Sequence, residues 1–283
     1  MTGPTRPLLR WMGSKWRLAP WVIANLPPHD LYCEPFGGSA SVLMRKARSK
    51  IEVLGDLDDE LLNLYAIVRD PVQAGMLQML CTLTPFSAAE FRRARKSAEG
   101  LDPVERARRL IVRQALQHSP DVRKGKVGTG FRRYTGNSRN SPAFDWSTFP
   151  KVIANMTSRL QGVIIEHDAA ISTIMRHDRR DACFYVDPPY VPETRKAAHR
   201  GYAHEMDQAD HKRLLDCLLT IKGMAVLSGY SHPLYDETLV GWRRVTQETS
   251  DHARNIREEV LWISPRAAAE IDKSRRQMEL FPA

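Results

Sequence analysis

The sequence predicts a doubly wound α/β domain interrupted by a basic helical insertion. Short apolar runs suited to buried strands recur with helical patterning between them. An early run opens into a Gly-rich turn, as a βαβ unit does. Between about residues 71 and 150 the alternation stops, and Arg-rich helical sequence replaces it.

The elements follow in order. A helix is expected after Lys15, then a strand over 31–33 running into Gly37, Gly38 and Ser39, a further helix, and a strand over 51–54. In the second block Ser87 suits a helix N-cap, and Asp102 before Pro103 makes an N-cap and first-turn pair. Residues 119–149 mix Gly, Asn, Ser and Pro with Arg, Phe and Tyr, and read as an exposed loop. The third block returns to strands over 163–165, 183–186 and 225–227. A helix from Asp207 stops near Gly223, and a shorter one after His232 stops at Gly241. Runs over 242–246 and 259–263 have no helix between them and suit a final antiparallel pair.

Composition narrows the function. The chain has 283 residues, 42% hydrophobic and 27% charged, which fits a globular protein and argues against extensive disorder. No apolar run approaches the ~18 residues of a membrane span, and the start lacks a signal-peptide pattern, so a cytoplasmic protein is expected. Cys33, Cys81, Cys183 and Cys217 are widely spaced. That argues for reduced, buried thiols over a disulfide framework or zinc site, and no metal is expected. The net charge of +9 is concentrated: residues 90–140 hold 14 Lys and Arg against 5 Asp and Glu, while the rest balances at 28 each. A module facing a polyanion, nucleic acid above all, is the expectation.

The candidate cofactor site begins at Glu34-Pro35-Phe36-Gly37-Gly38, where small residues let backbone approach a ligand at the next helix's start. Asp56 lies 18 residues beyond Gly38, at a strand end, where an acid can take both ribose hydroxyls of a nucleoside. A long glycine fingerprint and a P-loop lysine are both missing, which leaves S-adenosylmethionine as the better ligand over a dinucleotide or triphosphate.

Asp187-Pro188-Pro189-Tyr190 follows the apolar run 182–186 directly. The tetrapeptide resembles the signature of the amino-methyltransferases that modify exocyclic amines of nucleic-acid bases. With Arg10-Trp11-Met12-Gly13-Ser14-Lys15, the Gly-rich turn and Val53-Leu54-Gly55-Asp56, the chain is similar to the Dam-type, D12-class adenine-specific DNA N6-methyltransferases. Glu166-His167-Asp168, Val226 to Tyr230 and Arg257 to Leu261 extend the resemblance, which covers about residues 8–70 and 160–265. The motif order is that of the alpha group. Ala40 and Ser14 depart from the pattern, each standing where glycine is common, and residues 71–150 match poorly.

The resemblance implies a class I S-adenosylmethionine-dependent methyltransferase fold: a doubly wound, mostly parallel seven-stranded sheet with a helical DNA-recognition insertion. Residues 1–70 and 151–265 would form the catalytic domain, 71–150 the target-recognition insertion and 266–283 a C-terminal tail. Trp11, Lys15, Glu34, Phe36, Gly38, Asp56, Asp168 and Asp187 would serve the cofactor. Asp187, Pro188, Pro189 and Tyr190 would act on the target. The lone pair of adenine N6 is delocalised into the ring, so acceptors must hold its hydrogens; the Asp187 carboxylate and Pro188 carbonyl would do so while Tyr190 stacks on a base flipped from the duplex. Cytosine N4 is the alternative target amine. A DNA-binding regulator with a vestigial fold is the alternative class, opposed by the intact Asp187, Tyr190, Asp56 and Lys15.

For DNA contact the candidates are Arg92, Arg93, Arg106, Arg108 and Arg109 on helices, to grip phosphate, and Arg132, Arg133, Tyr134, Asn137, Arg139 and Asn140 in the loop, to read bases. Double-stranded DNA is the expected partner, with a nucleoid-associated location. A helix-like stretch over 266–276 precedes Gln277, Leu280 and Phe281. These resemble the Gln-Leu-x-Leu-Phe peptides that dock on the replication sliding clamp, although a tail folded onto the protein's own surface is the alternative.

Overall fold

The computed structural model describes residues 4–118, 130–133, 141–194, 204–250 and 256–280. One seven-stranded sheet organises them: β1 (Leu31–Glu34), β2 (Ile51–Asp56), β3 (Ile164–His167), β4 (Ala182–Val186), β5 (Met224–Gly229), β6 (Arg243–Ser250) and β7 (Ile256–Ile263). Their order is β3-β2-β1-β4-β5-β7-β6. The first five strands are mutually parallel, and β7 runs antiparallel to both β5 and β6. This is the class I methyltransferase arrangement. Chain order turns back between β1 and β4, and ligands of open α/β sheets sit at the strands' carboxyl ends at such a point.

The twofold period of a strand sorts side chains between two layers. In β4, Cys183 and Tyr185 join one core, whereas Ala182, Phe184 and Val186 join the other. Helices α9 (Ala170–His177), α10 (Gln208–Thr220) and α11 (Pro233–Thr238) cover the second face, with Ile174, Leu214, Leu218 and Tyr235 inside. The first face takes α1 (Ala19–Ala24), α2 (Ser41–Arg45), α3 (Asp59–Arg69), α8 (Pro150–Leu160) and α12 (Pro265–Leu280). There Glu52 of β2 accepts Arg159 Nη1 at 2.6 Å and Lys46 Nζ at 3.0 Å, fastening α8 to the sheet by a buried ion network. All four cysteines are free and buried.

The helical block consists of α4 (Pro71–Leu83), α5 (Ala88–Ala94), α6 (Pro103–Leu116) and α7 (Pro142–Thr148). The expected caps are present: Ser87 accepts the Glu90 N–H at 3.1 Å, and Asp102 accepts that of Val104 at 2.9 Å. Helix α4 packs on α8, and α6 on α3. Leu77, Cys81, Leu110 and Ile111 share one apolar cluster with Leu54, Leu64 and Ile153, so the block continues the core of the sheet.

Two expectations are corrected. Residues 142–148, read as loop, form α7: Ser141 accepts the Phe144 N–H at 3.1 Å, Pro142 takes the first helical position, and Trp146 buries its ring while donating to the Thr84 carbonyl at 2.7 Å. The stretch expected to end at 276 continues as helix to Leu280. Arg275, Arg276, Gln277 and Glu279 are all good helix formers, and Pro282 restricts only the residue before it.

Candidate active site

Three strand ends converge on one cavity that is partly open to solvent. From β1 comes Glu34, from β2 Asp56 and from β4 Asp187, while Trp11, Lys15, Phe36 and Gly38 line the remainder with Leu61 and Tyr185. The neighbouring strands place the acids, and the Gly-rich turn shapes the wall between them.

At one end, Asp56 accepts the Gly38 N–H on Oδ2 at 2.8 Å and the Asp58 N–H on Oδ1 at 2.9 Å. Burial raises its pKa, and these two N–H groups oppose the rise. Gly38 has φ +47, and a Cβ there would meet Trp11 Nε1 at 3.4 Å. Gly37 admits no side chain, since a Cβ would lie 2.8 Å from Leu54 Cδ1 and 2.9 Å from the Gly55 carbonyl. Ala40 adopts φ +49, a left-handed conformation that costs an L-residue about 1–2 kcal/mol. Ser14 hydrogen-bonds Ser39 at 3.0 Å and Ser41 at 2.9 Å, which pins the N-terminal segment to the turn. Of the two departures from glycine, Ser14 thus lines the cavity, whereas Ala40 is buried in the turn behind it. Glu34 accepts from the Tyr32 hydroxyl at 2.8 Å and from the Leu43 N–H at 2.5 Å, and burial pushes its pKa up to about 7.

At the other end, Asp187 receives Lys15 Nζ on both oxygens, at 2.8 and 2.9 Å, and the Ser228 hydroxyl on Oδ1 at 2.9 Å. Lys15 also lies 3.7 Å from Glu259 and 4.8 Å from the Tyr190 ring centroid. The Tyr190 hydroxyl donates to Glu259, and its ring meets that of Tyr230 edge-on at 4.7 Å. Burial pushes the Tyr190 phenol well above its ordinary value and raises Glu259, the latter against the opposing pull of Lys15. Pro188 and Pro189 are buried, so the turn that carries their carbonyls is stiff at both residues. Glu259 was missed as a site residue. Its only sequence signal was its place in the Arg257 to Leu261 run.

Asp168 lies outside the cavity lining. It follows β3, whose His167 is in register with Asp56, but its carboxylate holds Arg176 at 2.6 Å.

The basic candidates divide. Arg92 and Arg93 are exposed on α5, with Arg93 paired to Glu90. Arg106 is half-buried, Arg133 is exposed, and Arg132 pairs with Asp145 at 3.2 Å. Arg108, expected to grip phosphate, is enclosed by protein partners. Its side chain is 8% exposed, donates to Glu105 at 2.6 and 2.8 Å and to Thr84 at 3.0 Å, and joins α6 to the end of α4. Arg109 is likewise committed, to Glu105 at 2.9 Å and the Ser97 carbonyl at 3.2 Å. Tyr134, Asn137, Arg139 and Asn140 lie outside the described residues. Arg10, noted in the sequence only as part of the N-terminal motif, donates to the Gln117 carbonyl at 3.1 Å, beside the Gln117–Phe131 bridge. It thereby ties the root of the segment expected to read DNA to the residue before Trp11.

Among the described residues, no group of three or more His, Cys, Asp or Glu could hold a metal, and no helix is long and apolar enough to cross a membrane.

Comparison with known proteins agrees with this geometry. The family model for D12 class N6 adenine-specific DNA methyltransferases matches residues 11–249. A type II methyltransferase of Lactococcus lactis subsp. cremoris is 26% identical over 247 residues, 82% of this chain and 84% of that protein. A DNA adenine methylase of Haemophilus influenzae is 24% identical over 231 residues, 77% of this chain and 75% of that protein. A type II methyltransferase of Methanocaldococcus jannaschii is 22% identical over 231 residues, 74% of this chain and 78% of that protein.

Proposed function

The chain belongs to the D12 class of N6 adenine-specific DNA methyltransferases, enzymes that methylate adenine in DNA at specific sites, and we propose how its residues divide that work. The observation that carries the reading is one cavity with the Asp56 carboxylate and the Gly38 turn at one end and Asp187 at the other. These residues fit S-adenosylmethionine. Asp56 retains lone pairs for two ribose hydroxyls beyond its two backbone donors, Trp11 and Leu61 offer apolar surface to an adenine, and Glu34 and Asp187 face the cationic end. The bound donor supplies an electrophilic methyl group on a sulfonium.

The chain's own part is to position and desolvate. Lys15 and Ser228 lock the Asp187 carboxylate in one orientation, and the stiff Pro188-Pro189 turn fixes the Pro188 carbonyl beside it. Together they would accept the two N6 hydrogens of an extruded adenine, turning the lone pair out of the ring plane and toward the methyl group. Tyr190 would stack on the base, its hydroxyl anchored by Glu259. Exposed Arg92 and Arg93 would contact phosphate, and the segment rooted at Arg10 and Gln117 would supply recognition of the target. Residues 1–70 and 151–265 would thus do the chemistry and 71–150 the recognition, placing the enzyme with the nucleoid.

Asp187→Ala is expected to abolish methylation of a DNA substrate while leaving most of the DNA affinity, because phosphate contacts lie elsewhere. Near-normal turnover by that variant sinks the mechanism. A sliding-clamp contact through Gln277, Leu280 and Phe281 is a further part of the proposal. Leu280 is 73% exposed, and docking as an extended peptide would unwind the last turn of α12. Saturable binding of the full chain to the host clamp, lost on changing Leu280 and Phe281 to Ala, is the expected result, and undiminished binding by that variant refutes it.

A further inference from the structure

We propose that Glu259, outside the cavity lining, is the counter-charge that leaves the catalytic end of the cavity net negative, so that a cationic methyl donor is held in preference to its neutral demethylated product. The inference rests on the reading that the cavity takes S-adenosylmethionine.

Lys15 reaches both oxygens of Asp187 at 2.8 and 2.9 Å and lies 3.7 Å from Glu259. The three side chains are 7%, 18% and 4% exposed, so water screens none of them well. Between themselves the charges of Lys15 and Asp187 cancel. Glu259 restores one negative charge. Burial, with Asp187 nearby, raises its pKa, and Lys15 and the donated Tyr190 hydroxyl oppose that rise. Its position is rigid, since β7 pairs with β5 so that Val260 stands opposite Gly229 and Leu261 opposite Ser228. The carboxylate is therefore carried into the site by the same strand pair that presents the Asp187 partner Ser228. Glu34, the other acid near Asp187, is common to every variant below and drops out of the comparison.

An alternative role for Glu259 is structural only, holding Tyr190 by its hydroxyl. The two roles separate in a ratio that a structural defect would not move selectively: the affinity for S-adenosylmethionine divided by that for S-adenosylhomocysteine, which differ in the sulfonium methyl and its charge. Both dissociation constants are measured by calorimetry on the full chain. Glu259→Gln is expected to lower the ratio about tenfold, the effect of one unit charge acting across roughly 12 Å at an effective dielectric of about 20. Lys15→Gln is expected to raise it, and the double variant to return it toward the wild-type value, since a neutral pair has then been removed. Tyr190→Phe, which loses the hydroxyl and leaves Lys15 beside the carboxylate, is expected to shift the ratio by less than Glu259→Gln does. If Glu259→Gln fails to fold, the double variant decides: a ratio equal to that of Lys15→Gln overturns the inference, and a lower one supports it. An unchanged ratio in Glu259→Gln, the same direction in both single variants, or an equal shift in Tyr190→Phe overturns the inference while leaving the cavity assignment standing. If the wild-type chain binds neither compound, the cavity assignment falls, and the inference with it.

Discussion

Replacing Arg108 by Ala is expected to damage the fold and to spare the contact with DNA. The guanidinium makes two short bonds to Glu105, at 2.6 and 2.8 Å, a third to Thr84 at 3.0 Å, and lies 3.4 Å from Glu90. Removing one partner of a buried ion pair costs about 3–5 kcal/mol. Glu105 keeps 27% of its side chain in water, which lets solvent recover part of that and brings the expectation to about 2–3 kcal/mol. At about 2–4 °C per kcal/mol for a chain near this size, the melting temperature should fall by about 5–10 °C. The slope of log affinity against log salt for a DNA duplex should not change, whereas Arg92→Ala should reduce it by about 0.9 if that exposed residue touches phosphate. Acid offers a second reading. Arg108 holds the Glu105 carboxyl at about 2, below its ordinary 4.5. The pair therefore stabilises the fold fully above pH 4.5, and its contribution is lost as the pH falls toward 2, so the difference in melting temperature between wild type and variant should narrow over that range. An Arg108→Ala protein with an unchanged melting temperature and a flattened salt slope would refute the reasoning.

Glu34 has the opposite sign. Burial raises its pKa to about 7 from 4.5, so its contribution is complete below pH 4.5 and is lost as the pH rises through 7. Glu34→Gln keeps an acceptor for Leu43 and Tyr32 and should hold its melting temperature between about pH 4.5 and 7, where the wild type declines; parallel declines in the two proteins argue against the assignment. Gly37→Ala should cost about 1–3 kcal/mol and weaken donor binding, because the new Cβ meets the Gly55 carbonyl at 2.9 Å and a strand backbone cannot easily retreat. A thermal melt together with a donor titration checks this, and wild-type values in both would count against the fit described for the turn.

Local features of the chain were legible in advance where short-range chemistry decides them. Apolar runs of three or four residues marked the centres of β1, β2, β4 and β5, which extend to four to six residues, because strands buried on both faces need no polar alternation. Ser87 and Asp102 became caps because their side chains need reach only two or three residues onward. Asp187-Pro188-Pro189-Tyr190 and the Gly38 to Asp56 spacing marked the two ends of the cavity, since each is set by a strand and the turn that ends it. α7 escaped because Asn and Ser upstream of Ser141 masked a short helix whose stability comes from burying Trp146 in a core assembled elsewhere.

What the sequence by itself determined is the sheet, its caps, the motif at each strand end and the reaction class those motifs imply. What only the tertiary structure decided is which charges meet. Arg92 and Arg108 are the same residue type in the same basic segment, yet one faces water and the other is enclosed by Glu105, Glu90 and Thr84. Lys15 stands 172 residues from Asp187, and Glu259 joins them from an antiparallel strand at the far side of the sheet's switch. A carboxylate or guanidinium takes its energy from neighbours a few ångströms away and from how much water is excluded around it. Both are properties of packed distant segments, and periodicity along the chain carries no record of them.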